Sequence, residues 1–94
     1  MTTPFDVIGD PARRRLLDLL LAGPAPVNDL VATSGLSQPG TSHHLRALRE
    51  AGLVTSRAVG QQRIYELRLE GFAELARWLS PYVVARQRTL DALG

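Results

Sequence analysis

The stretch from Ser37 to Val54, SQPGTSHHLRALREAGLV, constrains the fold more than any other, because it spells out a capped amphipathic helix running into a strand. Ser37 precedes the helical pattern and can accept from free N–H groups of the first turn, where Pro39 is tolerated because those groups lack partners anyway. The helix therefore starts near Gln38. Thr41, His44, Leu45 and Leu48 recur at the i, i+3, i+4, i+7 spacing of one buried face. Gln38, Ser42, His43, Arg46 and Arg49 fall on the opposite side. Gly52 stands where a left-handed cap is needed, so the helix ends near Ala51 and an extended segment begins at Leu53 and Val54.

On the upstream side, Val27, Leu30 and Val31 keep helical spacing in PVNDLVATSGLS, and Gly35 closes that shorter helix just before Leu36 and the Ser37 cap. Two helices joined by so short a glycine-containing turn form a helix-turn-helix unit. Downstream, LVTSRAV and RIYELRL are strand-like runs separated by Gly60-Gln61-Gln62, which predicts a β-hairpin over about residues 53–69. Leu53, Thr55, Arg57 and Val59 share one face of its first strand, and Val54, Ser56 and Ala58 the other. A helix-turn-helix followed at once by a hairpin is a winged helix. The expected fold is thus mainly α with a small β-hairpin, one domain over residues 1–94.

Exposed Gln, Ser, His and Arg side chains are the ones that read base edges in a major groove, whose width admits one helix. A solvated helix face could carry the same residues, so charge and neighbours decide. Residues 37–63 hold four arginines against the single Glu50, whereas residues 1–36 hold three against four aspartates and residues 64–94 four against four acids. The net charge of +2 is therefore concentrated in the winged unit, as phosphate contact requires. The expected contact set is Ser37, Gln38, Thr41, Ser42, His43, Arg46 and Arg49 on the helix, with Arg57, Gln62 and Arg63 on the wing. Arg57 and Arg63 are expected to hold backbone phosphates. All eleven basic residues are arginine, which suits bidentate contact to guanine and phosphate and otherwise hints at a GC-rich genome.

Over most of its length the chain resembles the ArsR-type winged-helix repressors of bacteria. The resemblance runs from GDPARRRLLDLL (Gly9 to Leu20) through SQPGTSHHLRALREAGLV to the hairpin. It rests above all on the string SxHLxxLxxAGLV, here Ser42, His44, Leu45, Leu48, Ala51, Gly52, Leu53 and Val54. It implies a helical dimer, one winged unit per subunit, that represses an operon by occupying its operator. It also implies that the helix of Arg13, Arg14 and Arg15 buttresses the recognition unit, with one of these arginines reaching the DNA backbone. Many members release DNA on binding a metal, through cysteine pairs before the recognition helix or Asp and His ligands in the last helix. This sequence departs from both patterns. PAPVNDLV occupies the thiolate position, the chain has no cysteine, and its last helix has no histidine. Zinc or soft-metal sites need several convergent thiolates or imidazoles, and the adjacent His43 and His44 diverge by about 100° on a helix. No metal or cofactor is expected. His44 reads as a half-buried structural residue and His43 as one facing DNA.

Within GDPARRRLLDLL, Asp10 reads as the N-cap and Pro11 as the first helical residue, with Leu16, Leu17, Leu20 and Leu21 buried. Ninety-four residues make a small core, and dimerisation would add burial. The apolar residues suited to it are Phe5, Val7 and Ile8 at one end and Leu75, Trp78, Leu79, Tyr82, Val83, Leu90 and Leu93 at the other. The latter belong to a helix over about residues 70–93, which Pro81 is expected to kink or split after Leu79 or Ser80. Packing of the same stripe on its own domain is the alternative. Nucleophile–base pairs, phosphate loops and metal motifs are absent, which argues against an enzyme. A winged helix used only for protein interaction would instead show an apolar or acidic face between Gln38 and Arg49. Without a signal peptide or an apolar span of ~20 residues, a cytoplasmic protein is expected. Thiol redox sensing is excluded. Four release mechanisms stay open: a small organic ligand, a protein partner, plain autorepression, or a pH effect through His43.

Overall fold

In the computed structural model, which describes residues 1–94, three of the helices begin on a side-chain cap or capping box. A short helix α1 (Pro4–Val7) starts on a capping box in which the Asp6 carboxylate accepts from the Thr3 N–H at 2.7 Å. Helix α2 (Pro11–Leu20) begins on Asp10, whose carboxylate accepts from the N–H groups of Ala12 (2.8 Å) and Arg13 (3.3 Å). A two-residue strand β1 (Ala25–Pro26) leads into α3 (Val27–Ser34), and α4 (Gln38–Glu50) follows with Ser37 accepting from Gly40 N–H at 3.1 Å. Helices α3 and α4 make the expected helix-turn-helix. Gly35 ends the first of them at φ 77° and Gly52 follows the second at φ 80°, a region in which a Cβ would be strained.

Strands β2 (Val54–Val59) and β3 (Gln62–Leu67) form the wing, joined by a two-residue turn at Gly60 and Gln61. Gln62 therefore belongs to β3, paired with Val59, rather than to the turn. The sheet has a third strand that the sequence reading did not contain. β1 adds to β3 through Ala25–Tyr65 and Pro26–Ile64, giving the antiparallel order β1-β3-β2. Two residues, one of them a proline, carry no periodicity from which a strand can be read.

The core is Val7, Leu16, Leu17, Leu20, Leu30, Leu45, Leu48, Ala51, Leu53, Val54 and Tyr65, drawn from α1 to β3. Leu21, expected among them, is 72 % exposed, because α2 stops at Leu20 and Leu21 is its C-cap. Val7, expected at an interface, is buried in its own core, and Ile8 and Leu75 lie partly buried against it.

A 3-10 turn (Leu69–Phe72) connects the wing to α5 (Ala73–Leu93), so the true helix starts three residues later than expected. Pro81 does not divide it: α5 is continuous for 21 residues. An exposed helix tolerates the one hydrogen bond that proline removes because water can serve the freed carbonyl. No residue of α5 is buried. The chain is accordingly elongated, 55 × 27 × 20 Å with a radius of gyration of 15.7 Å, against about 12 Å for a compact domain of this length. No helix is long and apolar enough to cross a membrane.

Candidate nucleic-acid interface

Recognition helix α4 turns its buried face inward through Thr41, Leu45 and Leu48. The opposite stripe is Gln38, Ser42, Arg46 and Arg49, at spacings of four, four and three, about 16 Å of helix at 1.5 Å per residue. The wing comes up beside it. Cross-strand register pairs Ser56 with Tyr65 and Ala58 with Arg63, so these side chains share the sheet face that carries buried Val54. Between stripe and wing lies an open groove of about 460 Å3 lined by Gln38, Ser42, Arg46 and Arg49 of α4, Gln61, Gln62, Arg63 and Tyr65 of the wing, and Pro26, Val27 and Asn28 from β1 and α3. Three of the eleven are arginine and none is acidic.

The ten residues expected to contact DNA are sorted by this geometry. Gln38, Ser42, Arg46, Arg49, Gln62 and Arg63 converge on the groove. Ser37 and His43 are exposed but outside it, and the Ser37 hydroxyl is engaged as the helix cap. Thr41 leaves the set: it is 0 % exposed, and its hydroxyl donates to the Ser37 carbonyl at 2.8 Å. Its place on the buried face, also read from spacing, is the one that holds. Arg57 pairs with Ile64 and so projects from the other face of the hairpin, away from Arg63. The sequence reading missed Asn28, which lines the groove from the first turn of α3, and Ser56, which lies outside that lining but accepts hydrogen bonds from Arg49 and Arg63. Ser56 was legible in principle, since alternation from Val54 puts it on the inner face.

The sequence profile of the bacterial regulatory protein, arsR family, matches residues 10–56, the span from the α2 cap to mid-wing. The chain belongs to this arsR family. The transcriptional repressor SdpR of Bacillus subtilis (strain 168) is 31 % identical over 83 residues, covering 88 % of this chain and 92 % of the relative. Among solved structures, that of a possible transcriptional regulator for arsenical resistance superposes with a TM-score of 0.79 at 39 % identity, covering 95 % of this chain and 93 % of the other. A homodimeric winged helix-turn-helix DNA-binding domain from Mycobacterium bovis superposes at 0.70 with 29 % identity, covering 88 % and 75 %. The protein is thus a transcriptional regulator of the arsR family with a winged helix-turn-helix DNA-binding domain.

In this arsR-family chain each arginine of the Arg13-Arg14-Arg15 run is hydrogen-bonded within the chain, Arg14 and Arg15 at its surface. Arg14 donates to the carbonyls of Ile8 and Gly9, both at 3.0 Å, and Arg15 to Thr33 O at 3.1 Å, near the C-terminus of α3. A guanidinium there complements the negative end of the helix. Arg13 Nε donates to His44 Nδ1 at 3.1 Å, tying α2 to the recognition helix and fixing His44 as an acceptor. His44 is half-buried, as its spacing suggests. Desolvation pushes the Asp10 carboxyl up, but the Ala12 and Arg13 N–H groups and the nearby Arg13 guanidinium outweigh it, so it lies below the ordinary value. No group of three or more His, Cys, Asp or Glu side chains converges as a metal site would require.

Proposed function

We propose that the protein is a homodimeric repressor that occupies an inverted-repeat operator with one recognition helix per half-site. The observation that carries this reading is the acid-free groove in which α4 and the wing present Arg46, Arg49 and Arg63 together with Gln38, Ser42 and Gln62. Amides, hydroxyls and guanidiniums along one helix stripe match the donor and acceptor pattern of base edges, while arginines at its border suit phosphates. Gln38, Ser42 and Arg46 choose the sequence, and Arg49 and Arg63 hold the backbone. Two such helices related by a two-fold axis enter successive major grooves about one DNA turn apart.

Exposed apolar side chains support the dimer. Trp78, Leu79, Tyr82, Val83 and Leu90 of α5 are all uncovered, and Trp78 packs edge-on against Phe5 of α1 at a 6.0 Å ring separation. Leaving so much apolar surface in water is unfavourable for so small a chain. The homodimeric mycobacterial domain of similar fold is in keeping with this. Ile8 and Leu75 belong at most to the border of such an interface because each already packs on its own core. With no cysteine in the chain and His44 held by Arg13, release of DNA does not depend on a metal.

Binding of the purified protein to its own promoter fragment, at two salt concentrations and with unrelated competitor DNA, tests the reading. Tight, salt-sensitive binding that survives competitor is expected, and Arg46→Ala should weaken it by about 1–3 kcal/mol while relaxing preference at one base pair. Equal weakening on every sequence would assign Arg46 to a phosphate instead, and no specific binding would overturn the repressor reading.

A further inference from the structure

Ser56 is where two cations from different elements meet on one neutral atom. Its hydroxyl oxygen accepts from Arg49 Nη1 at 3.3 Å and from Arg63 Nη1 at 3.2 Å. A serine oxygen offers two acceptor sites, so the two guanidiniums use both, and the hydroxyl proton is left to point elsewhere. Position is fixed by the strand: Ser56 lies two residues after buried Val54 and opposite buried Tyr65, on the face that looks toward α4. Arg63 lies on that same face, and Arg49 occupies the last turn of α4.

Two like charges drawn to one oxygen repel each other, and no acid lines the groove to offset them. An anion between them reverses the sign of that interaction. Each guanidinium has five N–H donors and commits one to Ser56, so several remain for a tetrahedral oxyanion, which two arginines can bind through paired donors. The site also stands at the C-terminal end of the Gln38–Arg49 stripe, where one grip sets how far the helix slides along its groove. We propose that Ser56 is a positioning residue that holds Arg49 and Arg63 as a single clamp, so that recognition helix and wing share one backbone phosphate of the DNA. The clamp rests on the DNA-binding reading given above.

The number of phosphates neutralised is read from the salt dependence of binding, about 0.9 in the slope of log affinity against log salt for each. Anisotropy titrations over a salt series, on the protein's own operator and on an unrelated duplex, compare wild type with Arg49→Gln, Arg63→Gln, the double variant, Ser56→Ala and Ser56→Thr. Because the arginines of each subunit share a phosphate and the dimer carries two such clamps, the double variant should lose about 1.8 of slope, and each single variant less. Two independent contacts in each subunit would lose about 3.6 together, and that result overturns the clamp. Ser56→Ala, which removes no charge, should weaken binding to both duplexes by the same factor, about five- to tenfold, with an unchanged melting temperature. Ser56→Thr keeps a hydroxyl in a residue suited to a strand and should restore it. Wild-type affinity in Ser56→Ala would overturn the positioning role. A wild-type protein that binds neither duplex would overturn the DNA-binding reading and the clamp with it, whereas binding with a loss near about 3.6 would sink the clamp alone.

Discussion

Gly71 has no room for a side chain, and this gives the fold its sharpest test. It sits in the 3-10 turn before α5, with its Cα against the backbone that closes the recognition helix. A Cβ added there would lie 2.0 Å from the Gly52 carbonyl oxygen, 2.9 Å from its carbon and 3.3 Å from Leu53 Cα. Ordinary carbon–oxygen contact is roughly 3.3 Å, so the two segments must part by more than about 1 Å. Neither is a flexible side chain. Separation also loosens the bonds that knit them, Arg68 N–H to Leu53 O at 2.9 Å and Arg68 Nη1 to Gly52 O at 3.3 Å. Overpacking costs about 1–3 kcal/mol and each lost hydrogen bond about 1, so Gly71→Ala should destabilise by about 3 kcal/mol or more. For a chain of this size that lowers Tm by roughly 12–24 °C. Thermal unfolding followed by circular dichroism at one fixed protein concentration reads it, since association of copies would make the midpoint vary with concentration. Gly9→Ala is the control: nothing lies within 4 Å of its Cβ position and its φ is not positive. It should be neutral or stabilise by up to ~1 kcal/mol. A Gly71→Ala midpoint within about 4 °C of wild type would refute the close-contact argument.

Three further outcomes follow from the same structure. Leu45, 0 % exposed between α4 and the rest of the core, should cost about 2–5 kcal/mol when changed to Ala, read from urea midpoints at constant m-value. Asp10 titrates below its ordinary 3.8 in the folded chain, so its contribution is present above that value and is lost as pH falls through the lower folded one. Asp10→Asn keeps a capping acceptor and should flatten the acid limb of Tm against pH; an unchanged limb would remove Asp10 as its source. Tyr82→Glu, on the exposed face of α5 and 5.2 Å from the Trp78 ring, should raise the dimer dissociation constant roughly a hundredfold in sedimentation equilibrium, and an unaltered constant would exclude this face from the interface.

Local signals made the winged unit legible. Ser37, Gly35 and Gly52 bound α3 and α4 where caps and left-handed turns require them, and period-3.6 and period-2 patterns placed the helices and the hairpin. Long-range facts were not legible. β1 exists only because Ala25 and Pro26 find an edge of β3, and Leu21 is exposed because α2 ends one residue before it. Spacing put Thr41 on the inner face, yet residue type put it in the contact set; burial decides for spacing. Arg57 and Arg63 look equivalent in a charge count, and only the cross-strand register separates them onto opposite faces. The expectation that Pro81 would kink or split the last helix weighed the lost hydrogen bond alone, whereas the exposed helix continues through it without a split.

The unburied α5 has a consequence for how this protein exists at low abundance. Its 21 residues span about 32 Å, and helices that stand alone in water are marginally stable even when the sequence favours them. If the proposed dimer is the folded unit, a newly made copy would secure its last helix only on meeting another, and dilution would act on it as a denaturant does. The supply of finished molecules then rises more steeply than the supply of chains. Solitary copies would then offer proteases an unprotected tail, and the lifetime of each chain would depend on how many others are present.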